Sequence, residues 1–322
     1  MSRLTYQIPN FTYPDTTPEQ VYDVIVAQAK EADTAGFDRL AVMDHFYQLP
    51  VLGEFDEPMI ECYTLLSALA QHTKNVRLSS LVTGNTYRNP TLLAKTITAL
   101  DLVSNGRATL AIGAGWFELE HQAMGYEFGT FTDRFERLEE ALQIIIPMLR
   151  NEKVSLDGER YQVTDVVNSP PPVSRIPIMI GGSGEKKTLR MVAQYADESN
   201  LVGLRSPEEV PAKLEALDAH CARLGRDRSE ISVTLLVAAN VAPTMEEADA
   251  DLAAMAFLKG WPDEVIGMIK SMVVHGDPDT AGEQLEAFMA TGLDGLAFNA
   301  MANGHIPGRV SLLGGLASKI IG

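Results

Sequence analysis

Short apolar, β-branched runs alternate with segments whose apolar residues recur at helical spacing along nearly the whole chain. The runs predict strands at Leu4–Asn10, Arg39–Met43, Val76–Thr83, Thr109–Ile112, Ile176–Ile180, Glu198–Leu201, Ile231–Val241 and Leu293–Asn299. Between them the helical period predicts helices at Pro18–Ala35, Cys62–Thr73, Thr91–Val103, Phe131–Leu149, Lys186–Ala196 and Pro207–Leu224. Further helices follow at Met245–Phe257, Asp263–Met272, Asp279–Thr291 and Gly308–Ile320. Thr17, Pro18 and Gly36 supply the first helix with a cap, a first-turn proline and a stop. The strands are apolar throughout, as strands with both faces covered must be. About eight strands, each followed by helix, is the order of a (β/α)8 TIM barrel. A doubly wound open sheet shares that order; the barrel is the reading adopted here. Lys153–Pro172 interrupts the alternation with a predicted hairpin (VSLDGERYQV) and a proline-stiffened connector. It reads as an insertion at about 153–172 within a single domain spanning 1–322, with further insertions at strand ends.

The 322 residues suit one large barrel. The 26 basic and 43 acidic side chains leave a net charge of −17, which repels nucleic acid and anionic lipid. The two cysteines, Cys62 and Cys221, make neither a disulfide framework nor a CxxC metal site. The six histidines are dispersed without an HExxH pattern, so no metal is assigned. The amino terminus lacks a signal-type apolar core, and no apolar run reaches membrane-spanning length. The expectation is a cytoplasmic protein with a small-molecule substrate, without nucleic-acid or membrane partners.

Barrel chemistry sits at the carboxyl ends of strands. After the second strand comes Met43-Asp44-His45-Phe46, a carboxylate beside an imidazole. That pair suits proton or charge work, with Asp44 orienting His45, and reads equally as a loop cap with a surface histidine. Ser79–Pro90 puts polar residues and Arg88 after the third strand; alone it reads best as a polar loop. Gly113–His121 follows the fourth. Its small residues allow close backbone approach to a ligand. Trp116 and Phe117 are candidate walls of an apolar substrate pocket, with Glu118 or His121 at its rim. The alternative is a tight turn into a helix with its aromatics in the core. Gly181-Gly182-Ser183-Gly184 links the fifth strand to a helix, a geometry that suits a phosphate. It matches neither the dinucleotide nor the Walker pattern.

Together, AGFDRLAVMDHF (35–46), the stretch 81–128 that contains TGNTYRNP and GAGWFELEHQAMG, and IPIMIGGSG (176–184) resemble the bacterial luciferase-like superfamily. Within it the chain looks most like the oxidoreductases that use the deazaflavin coenzyme F420. The resemblance implies a (β/α)8 barrel, often homodimeric, with Asp44 touching the cofactor and His45 facing the substrate. It puts the family's non-proline cis peptide bond at Ser80-Leu81, supporting the back of the ring, with Thr83 nearby. It makes Gly181, Gly182, Ser183 and Gly184 the phosphate loop. Sugar-phosphate dehydrogenases of this family carry an acid directly after the strand-four glycine turn, where this chain has Trp116. That departure points to a flatter, more apolar substrate. The implied activity is hydride transfer between F420 and a small organic molecule, with reduction of an activated double bond as the expected direction. The alternatives are an FMN-dependent monooxygenase using reduced flavin and O₂, or a flavin-type carrier with little chemistry.

Overall fold

The computed structural model describes residues 3–50 and 52–322. Its parallel strands are β1 (Leu4–Ile8), β2 (Arg39–Val42), β3 (Arg77–Ser80), β4 (Thr83–Gly84) and β5 (Leu110–Gly113). A hairpin, β6 (Val154–Asp157) and β7 (Gln162–Val166), precedes β8 (Ile178–Gly181), β9 (Glu198–Leu201) and β10 (Ser232–Val241). The last two are β11 (Val274–Gly276) and β12 (Gly295–Asn299). The sheet runs β3-β2-β1-β12-β10-β9-β8-β5-β4, parallel throughout. β3 and β4 are two pieces of one stave, so the ring closes on itself there. Leu78 bridges Ala108, and Thr83 pairs with Ile112. The result is a (β/α)8 TIM barrel. β11 extends the sheet by pairing with the end of β10.

The surrounding helices are α1 (Val21–Thr34), α2 (Cys62–Leu69), α3 (Pro90–Val103), α4 (Glu118–Met124), α5 (Phe131–Leu149) and α6 (Thr188–Tyr195). They continue with α7 (Val210–Leu224), α8 (Met245–Lys259), α9 (Asp263–Met272), α10 (Pro278–Met289) and α11 (Arg309–Ile321). α5 shows how sequence makes these elements. Thr130 and Asp133 close a capping box at its start, and Leu138, Leu142, Ile145 and Leu149 recur on its buried side. Each such side chain contributes about 1.5–3 kcal/mol on burial. No described helix is long and apolar enough to cross a membrane.

Separate cores result. The largest lies between staves and helices; another, built from Ala41, Leu81, Ala111, Met179 and Ala297, fills the barrel's interior. The β6–β7 hairpin is antiparallel, and just beyond it Asn168 donates to Thr98 Oγ1 at 2.8 Å and to the Met148 carbonyl.

Candidate active site

A cavity of about 1020 Å³ opens at the carboxyl ends of the staves. Gln7, His45, Val82, Trp116, Gly182 and Asn299 reach it from six different strand ends. Neither the hairpin insertion nor the segment 256–262 contributes to its lining.

The third stave forms the back wall. Its cis peptide bond lies at Leu81–Val82, one bond later than the expected Ser80-Leu81. Gln7 Nε2 donates to the Leu81 carbonyl at 2.9 Å. Behind the wall a chain of hydroxyls has a forced direction. Ser80 Oγ donates to the Ala111 carbonyl at 3.0 Å, so Thr83 Oγ1 donates to Ser80 (2.8 Å), and the Tyr63 hydroxyl donates to Thr83. Thr83 borders the cavity, but Ser80 is buried behind it and its hydroxyl is spent on the wall. Val82 stands against two glycines. A Cβ on Gly181 would fall 2.8 Å from Val82 Cγ1, and one on Gly113 would fall 3.2 Å from Cγ2.

Asp44 follows β2 and is buried. Arg88 grips it with two hydrogen bonds, of 2.6 and 3.0 Å, and also reaches Glu61 at 2.6 Å. Arg88 lies over the Tyr63 ring, 4.7 Å from its centre. Burial pushes the Asp44 carboxyl upward against the pull of Arg88. Burial opposes the charge on Arg88 as well, but Asp44 outweighs it and holds the guanidinium firmly protonated.

The partner that orients His45 is therefore not Asp44, as the adjacent sequence positions imply. It is Glu120, whose Oε2 lies 2.9 Å from His45 Nδ1. Glu120 also accepts from the backbone N–H of Phe46 and Tyr47 and from the Tyr87 hydroxyl. Desolvation works against its charge, but His45, Tyr87 and the Tyr47 N–H outweigh it, and its carboxyl sits below the usual range. Burial and Glu120 push the Tyr87 hydroxyl upward.

The rest of the fourth-strand segment sorts itself by helical phase. Trp116 borders the cavity and remains 61% exposed. Phe117 is buried behind it, edge-on to His45 at 5.8 Å, and does not line the cavity. Glu118 opens α4 on its solvent side, bonded to Gln122, and is not a pocket residue. α4 buries Glu120 and His121 instead. His121 donates from Nδ1 to the Phe117 carbonyl at 2.8 Å and accepts at Nε2 from Thr86 at 2.6 Å.

In the glycine loop, Gly181 and Gly182 border the cavity, and Gly182 has φ +126°. Ser183 does not offer a free hydroxyl. It donates to the Val202 carbonyl at 2.7 Å and accepts from the Val202 N–H at 2.9 Å, pinning the loop after β9. Gly184 packs over Thr188, which opens α6 and lines the cavity.

A closed parallel barrel with a large cavity at its carboxyl end, walled by a broken third stave, places the chain among the (β/α)8 barrels. The chain belongs to the luciferase-like monooxygenase family, whose model matches residues 3–295. It is 25% identical to an F420-dependent glucose-6-phosphate dehydrogenase of Amycolatopsis mediterranei, over 85% of this chain and 87% of that one. An F420-dependent secondary alcohol dehydrogenase holding an F420–acetone adduct superposes with a TM-score of 0.80 at 20% identity, covering 100% of this chain and 99% of that one. The FMN-bound oxygenating constituent of 3,6-diketocamphane monooxygenase from Pseudomonas putida superposes with a TM-score of 0.76 at 18% identity, covering 99% of each chain.

Proposed function

We propose that this protein is an oxidoreductase that moves a hydride between coenzyme F420 and a small, largely apolar organic substrate, with an activated double bond as the acceptor in the reducing direction. The observation that carries this reading is the slot around Val82. Gly113 and Gly181 make room for the Val82 side chain and put no side chain of their own over the wall, so a flat ring could lie against it. Leu81, Val82 and Thr83 would back the ring, and Asp44 would meet its edge. The loop Gly181–Gly184 and Thr188 would hold the phosphate, through backbone N–H groups and the Thr188 hydroxyl, since the Ser183 hydroxyl is already bonded. When bound, the deazaflavin supplies the hydride chemistry.

The remaining work belongs to the chain. Arg88 balances Asp44 and keeps that carboxylate fixed. His45 borders the cavity and would hold or release a proton at the substrate's reacting atom. Trp116 and the apolar lining would exclude water and favour a flat substrate over a phosphorylated sugar. A second reading, an FMN-dependent monooxygenase, is supported by the likeness to an FMN-bound oxygenase.

The test is a paired titration of the purified protein with F420 and with FMN, read by quenching of tryptophan fluorescence. Tight F420 binding with weak FMN binding is the expected result. The reverse preference, together with O₂ uptake in the presence of reduced FMN, would favour the monooxygenase; binding of neither would end the cofactor assignment.

A further inference from the structure

The strand-four turn carries Trp116 and no acid of its own, yet the site does not lack one. Glu120, one helical turn further along, delivers a carboxylate with no solvent exposure to the back of His45. Besides His45 Nδ1 it has three partners, all donors: the Phe46 N–H, the Tyr47 N–H and the Tyr87 hydroxyl. An ionised carboxylate can only accept. The 2.9 Å contact therefore requires the proton on Nδ1. The ring also packs edge-on against the adjoining rings of Trp116 at 5.9 Å and Phe117 at 5.8 Å, both 76° from its plane and themselves 5.3 Å apart. Those contacts oppose the ring flip that would exchange the two nitrogens. His45 Nε2 makes no hydrogen bond to any described residue, and the side chain borders the cavity.

The other titratable groups on the cavity wall are committed elsewhere. Asp44 is gripped by Arg88, and the Tyr87 hydroxyl is donated to Glu120. Arg134 is spent on the carbonyls of Gly115 and Gly129. Arg205 has only donors and no acceptor, so it cannot take a proton from a bound molecule.

We propose that Glu120 is the positioning residue for His45, fixing the Nδ1–H tautomer so that Nε2 is the one nitrogen that exchanges a proton with a bound molecule. The ligand class that follows carries a hydroxyl or carbonyl oxygen at its reacting centre: a hydroxyl donates to the bare Nε2, and a carbonyl oxygen accepts from Nε2 once the ring is protonated. The proposal rests on the reading of His45 as the proton-handling group. It does not depend on which cofactor binds.

The test needs neither substrate nor cofactor. Protein labelled with ¹⁵N at histidine is observed by long-range ¹H–¹⁵N correlation at a pH where His45 is neutral, and its signals are assigned by their loss in His45→Gln. Wild-type protein is expected to show a protonated Nδ1 and a bare Nε2. Glu120→Gln, which retains the shape but can turn an N–H₂ toward the ring, is expected to mix or reverse the tautomers. A wild-type Nε2–H tautomer would overturn the proposal without any variant, as would an unchanged tautomer in a folded Glu120→Gln protein. Failure of F420 to bind would remove the proposed function and leave the tautomer result standing.

Discussion

Asp44, after β2, and Glu120, on α4, are both buried carboxylates, and their partners divide their work. Asp44 faces a permanent cation, Arg88, whereas Glu120 faces an imidazole, a phenol and two backbone N–H groups. The folded carboxyl of Glu120 lies below its ordinary value, so its contribution to stability is complete above the unfolded value of about 4.3. That contribution is lost as pH falls through the lower folded value. Glu120→Gln is expected to lower stability by about 1–3 kcal/mol near neutrality, the cost of turning a donor toward buried donors. Because the other carboxylates titrate alike in both proteins, the gap in melting temperature between them should narrow below about pH 4.3. Thermal melts of both across pH 3–7 check this. A gap that stays constant on acidification would mean that Glu120 is not ionised in the fold.

At the scale of elements, local signals carried most of the fold. The strand Glu198–Leu201 and the helices Phe131–Leu149 and Asp263–Met272 have the bounds their apolar periods predict. Two features escaped because their cause is tertiary. Val76–Thr83 reads as one strand, yet it is broken between Ser80 and Thr83, where Gln7 from the first stave holds the Leu81 carbonyl. β11 is three residues long and exists only by pairing with the overlong β10. Glu120 escaped for a related reason: α4 buries a polar pair, and a search for apolar faces has nothing to detect there. The Asp44–His45 adjacency was legible but misleading, since neighbouring side chains need not face each other. The Val82 slot yields its own expectation. In Gly181→Ala the new methyl meets Val82 at 2.8 and 2.9 Å, so the wall must shift, at a cost of about 1–3 kcal/mol. Val82→Ala opens that space, so the double variant should recover much of the loss. Urea unfolding of the two single variants and the double variant measures the coupling. Additive losses would mean that the two side chains do not meet.

Across the whole molecule, the proposed site and a fully buried ion pair lie at opposite ends of the barrel. The cavity occupies the carboxyl end, while Arg39 and Glu198, the first residues of β2 and β9, pair at 2.5 Å inside the amino end. In the sheet order those two strands stand four places apart, on opposing sides of the ring. The pair is fully buried but poorly served: Arg39 Nε and Nη1 and Glu198 Oε1 make no hydrogen bond to the described residues. Desolvating both ions then offsets most of their attraction. Removing one partner strands the other, so Glu198→Leu alone is expected to cost about 3–5 kcal/mol. Arg39→Met combined with Glu198→Leu fills the same space without charge and should be neutral, or more stable by about 1–4 kcal/mol. Chemical denaturation measures both, and the cofactor titration of the double variant should match wild type because its changes lie at the far end from the proposed cofactor site. If the double variant instead loses as much stability as the single one, the pair contributes net energy to the barrel and its unbonded nitrogens must be satisfied by water. If stability holds but cofactor affinity falls, the interior transmits its packing to the cavity, and the two ends of the barrel are coupled.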